Sequence, residues 1–178
     1  MKSAIITGAS SGLGLENAKA LAKLGYSITM VARGEERLVR AANSLRERFP
    51  DVAIQEQVLD ISNLDLVREF AKGVSEVDLL VNNAGLMGPD FKLSIEGIES
   101  QMATNHIGHF LLTALLWSKL DRVDGRVVSL SSVVHRRGRL DHSTLDDIRG
   151  ADESKYNRWQ RYACLLYTSP SPRDRQKS

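Results

Sequence analysis

The eight residues Thr7-Gly8-Ala9-Ser10-Ser11-Gly12-Leu13-Gly14 set three glycines in a G-x-x-x-G-x-G spacing beside two hydroxyl side chains. They follow an apolar run, Ser3-Ala-Ile-Ile-Thr7, and open a helical pattern. Glycines at such a bend let the backbone turn tightly and approach a ligand. The helix start behind them offers free N–H groups and the positive end of a dipole. That chemistry suits a pyrophosphate, and the spacing is a variant of the G-x-G-x-x-G dinucleotide pattern. A glycine-rich turn with no ligand is the other reading of these residues. His106 and His109 stand three apart with no third metal ligand in view. They read as polar helix residues, and no metal site is expected.

The elements that must hold this loop alternate along the chain. Ser3–Thr7 reads as a buried strand, Leu13–Leu24 as a helix capped by Gly25, and Ser27–Val31 as a second strand. A charged helix over Glu35–Arg48 ends before Pro50, and Val52–Leu59 alternates as a third strand. Ser62-Asn-Leu-Asp65 has the form of a capping box ahead of a helix to about Val74. Val77–Val81 and Arg126–Leu130 read as the fourth and fifth strands, flanking a long helical pattern over Glu99–Leu120. Strands alternating with helices imply an α/β fold, a Rossmann-like doubly wound parallel sheet with helices on both faces.

Composition narrows the functional classes. The chain has 178 residues, 42% hydrophobic and 26% charged, enough to build a core and too apolar for wholesale disorder. The net charge of +2 lies entirely in residues 164–178, where Arg173, Arg175 and Lys177 face Asp174. The body before it is balanced and offers no basic patch, so no nucleic-acid partner is expected. The single cysteine, Cys164, also lies in that tail, which leaves the body without a disulfide framework. No apolar run is long enough for a membrane span. The chain begins Met-Lys-Ser-Ala-Ile-Ile-Thr and enters the loop directly, so a cytoplasmic location is expected.

Residues 1–163 resemble the short-chain dehydrogenase/reductase family. Besides the loop, the resemblance rests on Asp60 after the third strand, Asn82-Asn83-Ala84-Gly85 after the fourth, Asn105 in Thr104-Asn-His-Ile-Gly-His109, Ser131-Ser132 after the fifth, and Tyr162. Asn105-His-Ile-Gly-His-Phe-Leu-Leu-Thr113 and Ser131-Ser-Val-Val-His135 look most like the retinol dehydrogenase-like branch, and Gly8–Leu15 also resembles protochlorophyllide reductase. The resemblance implies that Gly8, Ser10, Ser11, Gly12, Leu13 and Gly14 wrap the pyrophosphate and adenosine ribose. Asp60 would accept from the adenine amino group with Ile61 beside it, and Asn83, Ala84 and Gly85 would line the ribose. Arg33 follows the second strand, where the ribose 2′ position would sit. An arginine there suits the 2′-phosphate of NADP, whereas an acidic residue would accept from the hydroxyls of NAD. NADP is therefore the expected cofactor, with NAD left open. Blander readings stay open too: Arg33 pairing with Glu35 or Glu36, Asp60 closing a turn, Ser132 forming a turn, Asn105 bonding to backbone, and Tyr162 packing beside Trp159 and Tyr156.

For catalysis the resemblance implies Tyr162 as acid/base, Ser132 bonding the substrate oxygen, and Asn105 holding a water in the proton relay. A free tyrosine titrates near ~10, too high for efficient proton exchange at neutral pH. The family places a lysine four residues after the tyrosine, on the same helix face. Here that position is Leu166, and Pro170 and Pro172 follow. Residues Cys164–Asp174 resemble an in-frame translation of a transposon-end sequencing adapter. The expectation is an incomplete domain over 1–163, truncated after the fifth strand, with 164–178 a non-native or disordered tail. The whole protein is expected to be an oxidoreductase transferring a hydride between NAD(P)(H) and an alcohol/carbonyl of a small, fairly apolar substrate. It is expected to be a homo-oligomer, and the 178-residue chain to be inactive. A non-catalytic dinucleotide-binding sensor or scaffold is the alternative.

Overall fold

The computed structural model describes residues 2–120, 124–137 and 149–167. Five strands form one parallel sheet: β1 (Ser3–Thr7), β2 (Ser27–Ala32), β3 (Ile54–Val58), β4 (Leu79–Asn82) and β5 (Arg126–Ser129). Their order is β3-β2-β1-β4-β5. The helices are α1 (Gly12–Lys23), α2 (Glu35–Arg48), α3 (Leu64–Gly73), α4 (His109–Leu116) and α5 (Arg158–Tyr167).

Side chains alternate across each strand, so β1 feeds two cores. Ala4 and Ile6 pack with Ala18 and Ala22 of α1 and with Leu38, Ala42 and Leu45 of α2. Ile5 points the other way, into Val67 and Ala71 of α3 and Leu112 and Leu116 of α4. A strand buried on both faces must be apolar along its whole length, which is why Ser3–Thr7 reads as a run rather than an alternation. The strand order reverses between β1 and β4. Helix α1 leaves β1 toward one face, while the chain after β4 continues to the other, and this opens a crevice beyond the C-terminal ends of both strands.

The doubly wound sheet agrees with the expectation from sequence; three local details differ. Asn63, not Ser62, caps α3: its side chain accepts from the N–H groups of Asp65 and Leu66, while Ser62 bonds back to Asp60. β4 begins at Leu79 rather than Val77. Val77 meets Leu120 in an isolated bridge, and Asp78 turns its carboxylate onto Ser3. The long helix is not uniform either. Met102–Gly108 is a π-helical turn, α4 follows, and Trp117–Lys119 tightens to a 3-10 turn. Two long-range contacts hold the π turn. At its centre Asn105 bonds to Leu86, and at its end Gly108 lies so close to Ile61 that a Cβ would strike its carbonyl oxygen. Pro170, Pro172 and the tail from residue 168 lie outside the described residues.

Candidate functional site

A single cavity of about 1790 Å³ occupies the crevice, and every residue expected from sequence to bind the cofactor or take part in catalysis lines it except Gly12. Gly12 stands at the start of α1 with φ +54° and open space around it, so it turns the chain rather than walling the cavity.

The glycine loop is built for close approach. Gly8 has φ +66°, and a Cβ there would sit 2.8 Å from Ala84 Cα. A Cβ on Gly14 would strike both Asn83 Nδ2 and the Gly8 carbonyl oxygen. Ser11 precedes α1 in extended conformation and makes no side-chain cap, and no acidic residue stands in the first turn. The first N–H groups of α1 therefore keep their capacity for an anion.

Behind the loop lies a brace of side chain-to-backbone bonds. Thr7 Oγ1 accepts from the N–H groups of Asn83 and Ala84, each at 2.9 Å, and Asn83 Nδ2 donates to the Thr7 carbonyl at 2.7 Å. The turn after β4 is thus locked to the end of β1, which fixes the width of the crevice. Asp60 and Ile61 line the far wall. Asp60 Oδ1 accepts from the Ser62 N–H at 2.9 Å and its hydroxyl at 2.7 Å, which is the turn-closing behaviour also open to it from sequence.

Arg33 stands exposed just past β2 and lines the cavity. It does not pair with Glu36, whose carboxylate is held by Arg40 at 2.6 Å. Arg37, one helical turn further on, also lines the cavity, with its guanidinium folded back over Gly34. Among the described residues neither arginine is in an ion pair. Arg37 was missed by the sequence reading, although its spacing of four from Arg33 across the start of α2 was a usable signal.

The reaction end is held by side chains. Asn105 Oδ1 accepts from Leu86 N–H and its Nδ2 donates to the Leu86 carbonyl, both at 2.8 Å. Its amide is committed to backbone and braces the loop after β4, which is the blander of the two expectations. Ser132 follows β5, half-buried, with its Oγ 3.4 Å from Val134 N. Tyr162 reaches the cavity on α5. The start of that helix is strapped to the loop after β4. Fully buried Gln101 accepts from Gly88 N–H and donates to the Tyr156 hydroxyl and the Arg158 carbonyl, Tyr156 donates to the Pro89 carbonyl, and Arg158 pairs with Asp90 at 2.8 Å. The Trp159 ring lies over Gly88. Tyr162 and Ser132 line the same cavity.

His109 is a helix residue, as expected, but a buried one: it is 7% exposed, and burial, reinforced by neighbouring His106, lowers its pKa to about 4 against the pull of the Asn105 carbonyl. The signal was available, because His109 shares a helical face with Leu112 and Leu116. Among the described residues no three acidic, histidine or cysteine side chains group to hold a metal ion, and no helix is long and apolar enough to cross a membrane.

A doubly wound sheet, a glycine loop at its switch point and a serine and tyrosine lining one cavity define a class, and the family comparison agrees. The short chain dehydrogenase model matches residues 2–143, and the chain belongs to that family. Retinol dehydrogenase 13 of Homo sapiens is 36% identical over 187 aligned residues, covering 99% of this chain and 55% of its own length. A solved protein from Mycobacterium Paratuberculosis superposes with a TM-score of 0.82 at 37% identity, over 93% of this chain and 57% of that one. An alcohol dehydrogenase from the archaeon Thermococcus sibiricus, solved with 5-hydroxy-NADP, gives 0.66 at 30% identity, over 92% of this chain and 67% of that one. The chain spans about half the length of the curated relatives it matches.

Proposed function

We propose that the cavity is the nucleotide and reaction site of an NADP-preferring oxidoreductase acting on the alcohol/carbonyl pair of a small, fairly apolar molecule. The observation that carries this reading is the convergence of the glycine loop, Arg33, Asp60, Asn83, Ser132 and Tyr162 on one cavity. The residues fit the cofactor: Gly8 and Gly14 have no room for a Cβ, and Arg33 and Arg37, in no ion pair among the described residues, line the cavity where a ribose 2′-phosphate would be bound. When bound, the nicotinamide supplies or takes the hydride. The chain's own residues do the rest. The first turn of α1 and Ser10 and Ser11 hold the pyrophosphate; Arg33 and Arg37 hold the 2′-phosphate. Asp60 and Ile61 border the adenine, and Asn83, Ala84 and Gly85 the ribose. Ser132 donates a hydrogen bond to the substrate oxygen, and Tyr162 gives or takes its proton. Asn105 acts through the Leu86 backbone it clamps. A cytoplasmic location belongs to the same proposal.

A second reading, a non-catalytic nucleotide sensor, is favoured by one feature: α5 carries Leu166 four residues after Tyr162, where the resemblance implies a lysine. Two measurements separate the readings. Thermal unfolding with NADPH present is expected to shift upward for either one. Consumption of NADPH with a panel of aldehydes and ketones is expected only for the enzyme, most readily after Leu166→Lys. No thermal shift with either nucleotide contradicts both.

A further inference from the structure

The two ring nitrogens of His109 face different partners on either side of the ring. Nε2 lies 2.9 Å from Thr7 Oγ1, and Nδ1 lies 3.4 Å from the main-chain carbonyl oxygen of Asn105. A carbonyl can only accept, so a neutral ring carries its proton on Nδ1 and presents a bare lone pair at Nε2. Thr7 completes the count. Both lone pairs of its oxygen are taken by the Asn83 and Ala84 N–H groups, so it has one proton to give. Two acceptors lie within reach, the Val81 carbonyl at 3.3 Å and His109 Nε2 at 2.9 Å. The shorter contact selects the imidazole.

We propose that His109 is a positioning residue: held as the Nδ1–H tautomer, it carries one continuous hydrogen-bond chain from the Asn83–Ala84 turn through Thr7 to the Asn105 carbonyl. Every donor in that chain points the same way, from the nucleotide wall toward the π turn, and each bond polarises the next. An imidazole suits the place because it donates at one end and accepts at the other, across a fixed width. The ring acts through its neighbours. It sets the Thr7 hydroxyl that holds the Asn83–Gly85 wall, and it holds the backbone of Asn105, whose amide clamps Leu86. The positioning role rests on the nucleotide-site reading; the tautomer does not.

Two experiments on the 178-residue chain test this. In nitrogen-15 histidine NMR at pH 7, with the His109 signals assigned by their loss in His109→Gln, a fixed Nδ1–H tautomer is expected. An Nε2–H or averaging pair overturns the chain. The second experiment measures NADPH affinity in variants. His109→Leu removes both bonds, and His109→Gln keeps an acceptor for Thr7 alone. Losing one such bond weakens binding by about tenfold, so the Gln variant is expected to fall between wild type and Leu. In a Thr7→Val background the Gln advantage disappears, a coupling that a space-filling role does not produce. If the Leu variant does not fold, the Gln variant alone still decides: it is expected to bind NADPH about tenfold less tightly than wild type. Wild-type binding with unchanged variant affinities overturns the positioning role alone. A wild type that binds neither nucleotide overturns the reading of the cavity and the positioning role with it, while the tautomer still stands or falls on the NMR.

Discussion

At the glycine-loop end of the cavity, short side chains meet main chain: the Thr7 hydroxyl accepts from the Asn83 and Ala84 N–H groups, the Asn83 amide donates to the Thr7 carbonyl, and the glycines work by what they lack. At the other end Tyr162 arrives on a helix held by long side chains, Gln101, Tyr156 and Arg158, each reaching a loop more than ten residues away. The glycine loop at the first end is a short contiguous stretch, and its Gly8 and Gly14 are sensitive to any added atom. The second depends on distant residues meeting, and on Leu166, which supplies no charge to the phenol one turn before it.

The largest effect is expected where an atom is added at the first end. Gly14→Val drives a side chain into the Gly8 carbonyl and Asn83 and should abolish nucleotide binding in a calorimetric titration. The same substitution at Gly73, where nothing lies within 4 Å of a Cβ, should leave binding intact. Equal binding by both variants would break the contrast.

Removing the brace comes next. Thr7→Val leaves the Asn83 and Ala84 N–H groups buried without their acceptor, at a cost of about 3 kcal/mol in urea unfolding. A loss within ~0.5 kcal/mol would show that the brace is not holding the wall.

Acid should weaken the same end through His109. Its pKa is held at about 4 in the folded chain, against ~6.5 unfolded. The unfolded chain thus takes up a proton that the folded chain refuses. This term is absent above pH 6.5 and grows as the pH falls, reaching about 2 kcal/mol by pH 5. Burial of His106 acts in the same direction. Unfolding at pH 7.5 and pH 5 should therefore show a larger loss for wild type than for His109→Gln, and equal losses would contradict it.

The smallest effect sharpens the reaction end. Leu166→Lys places a lysine four residues after Tyr162 and should raise NADPH consumption with a panel of aldehydes and ketones above that of the unchanged chain. The gain should be lost when Tyr162→Phe is added. Equal consumption with and without the lysine would show that the position does not serve the reaction end.

What could be read from sequence follows the same division. The strands, the two-faced sheet and the glycine loop were legible because each is encoded locally, by an apolar run, a period or a glycine spacing. The π turn was not, because it is held by Asn105 reaching Leu86 and Gly108 pressing on Ile61, contacts between segments far apart in the chain. The cap of α3 was misplaced by one residue because Ser62 and Asn63 are both good caps, and Asp60 claims the serine. Arg37 and His109 were each signalled by helical spacing, but only the packed structure shows one turned into the cavity and the other buried beneath it.

Calorimetric titration of the 178-residue chain with NADPH and with NADH tests the central claim most directly, that the glycine-loop end holds a dinucleotide with its 2′-phosphate between Arg33 and Arg37. The account requires NADPH to bind at least about tenfold more tightly, with the margin lost when both arginines become glutamine. A chain that binds neither nucleotide, or binds both equally with the arginines intact, contradicts it.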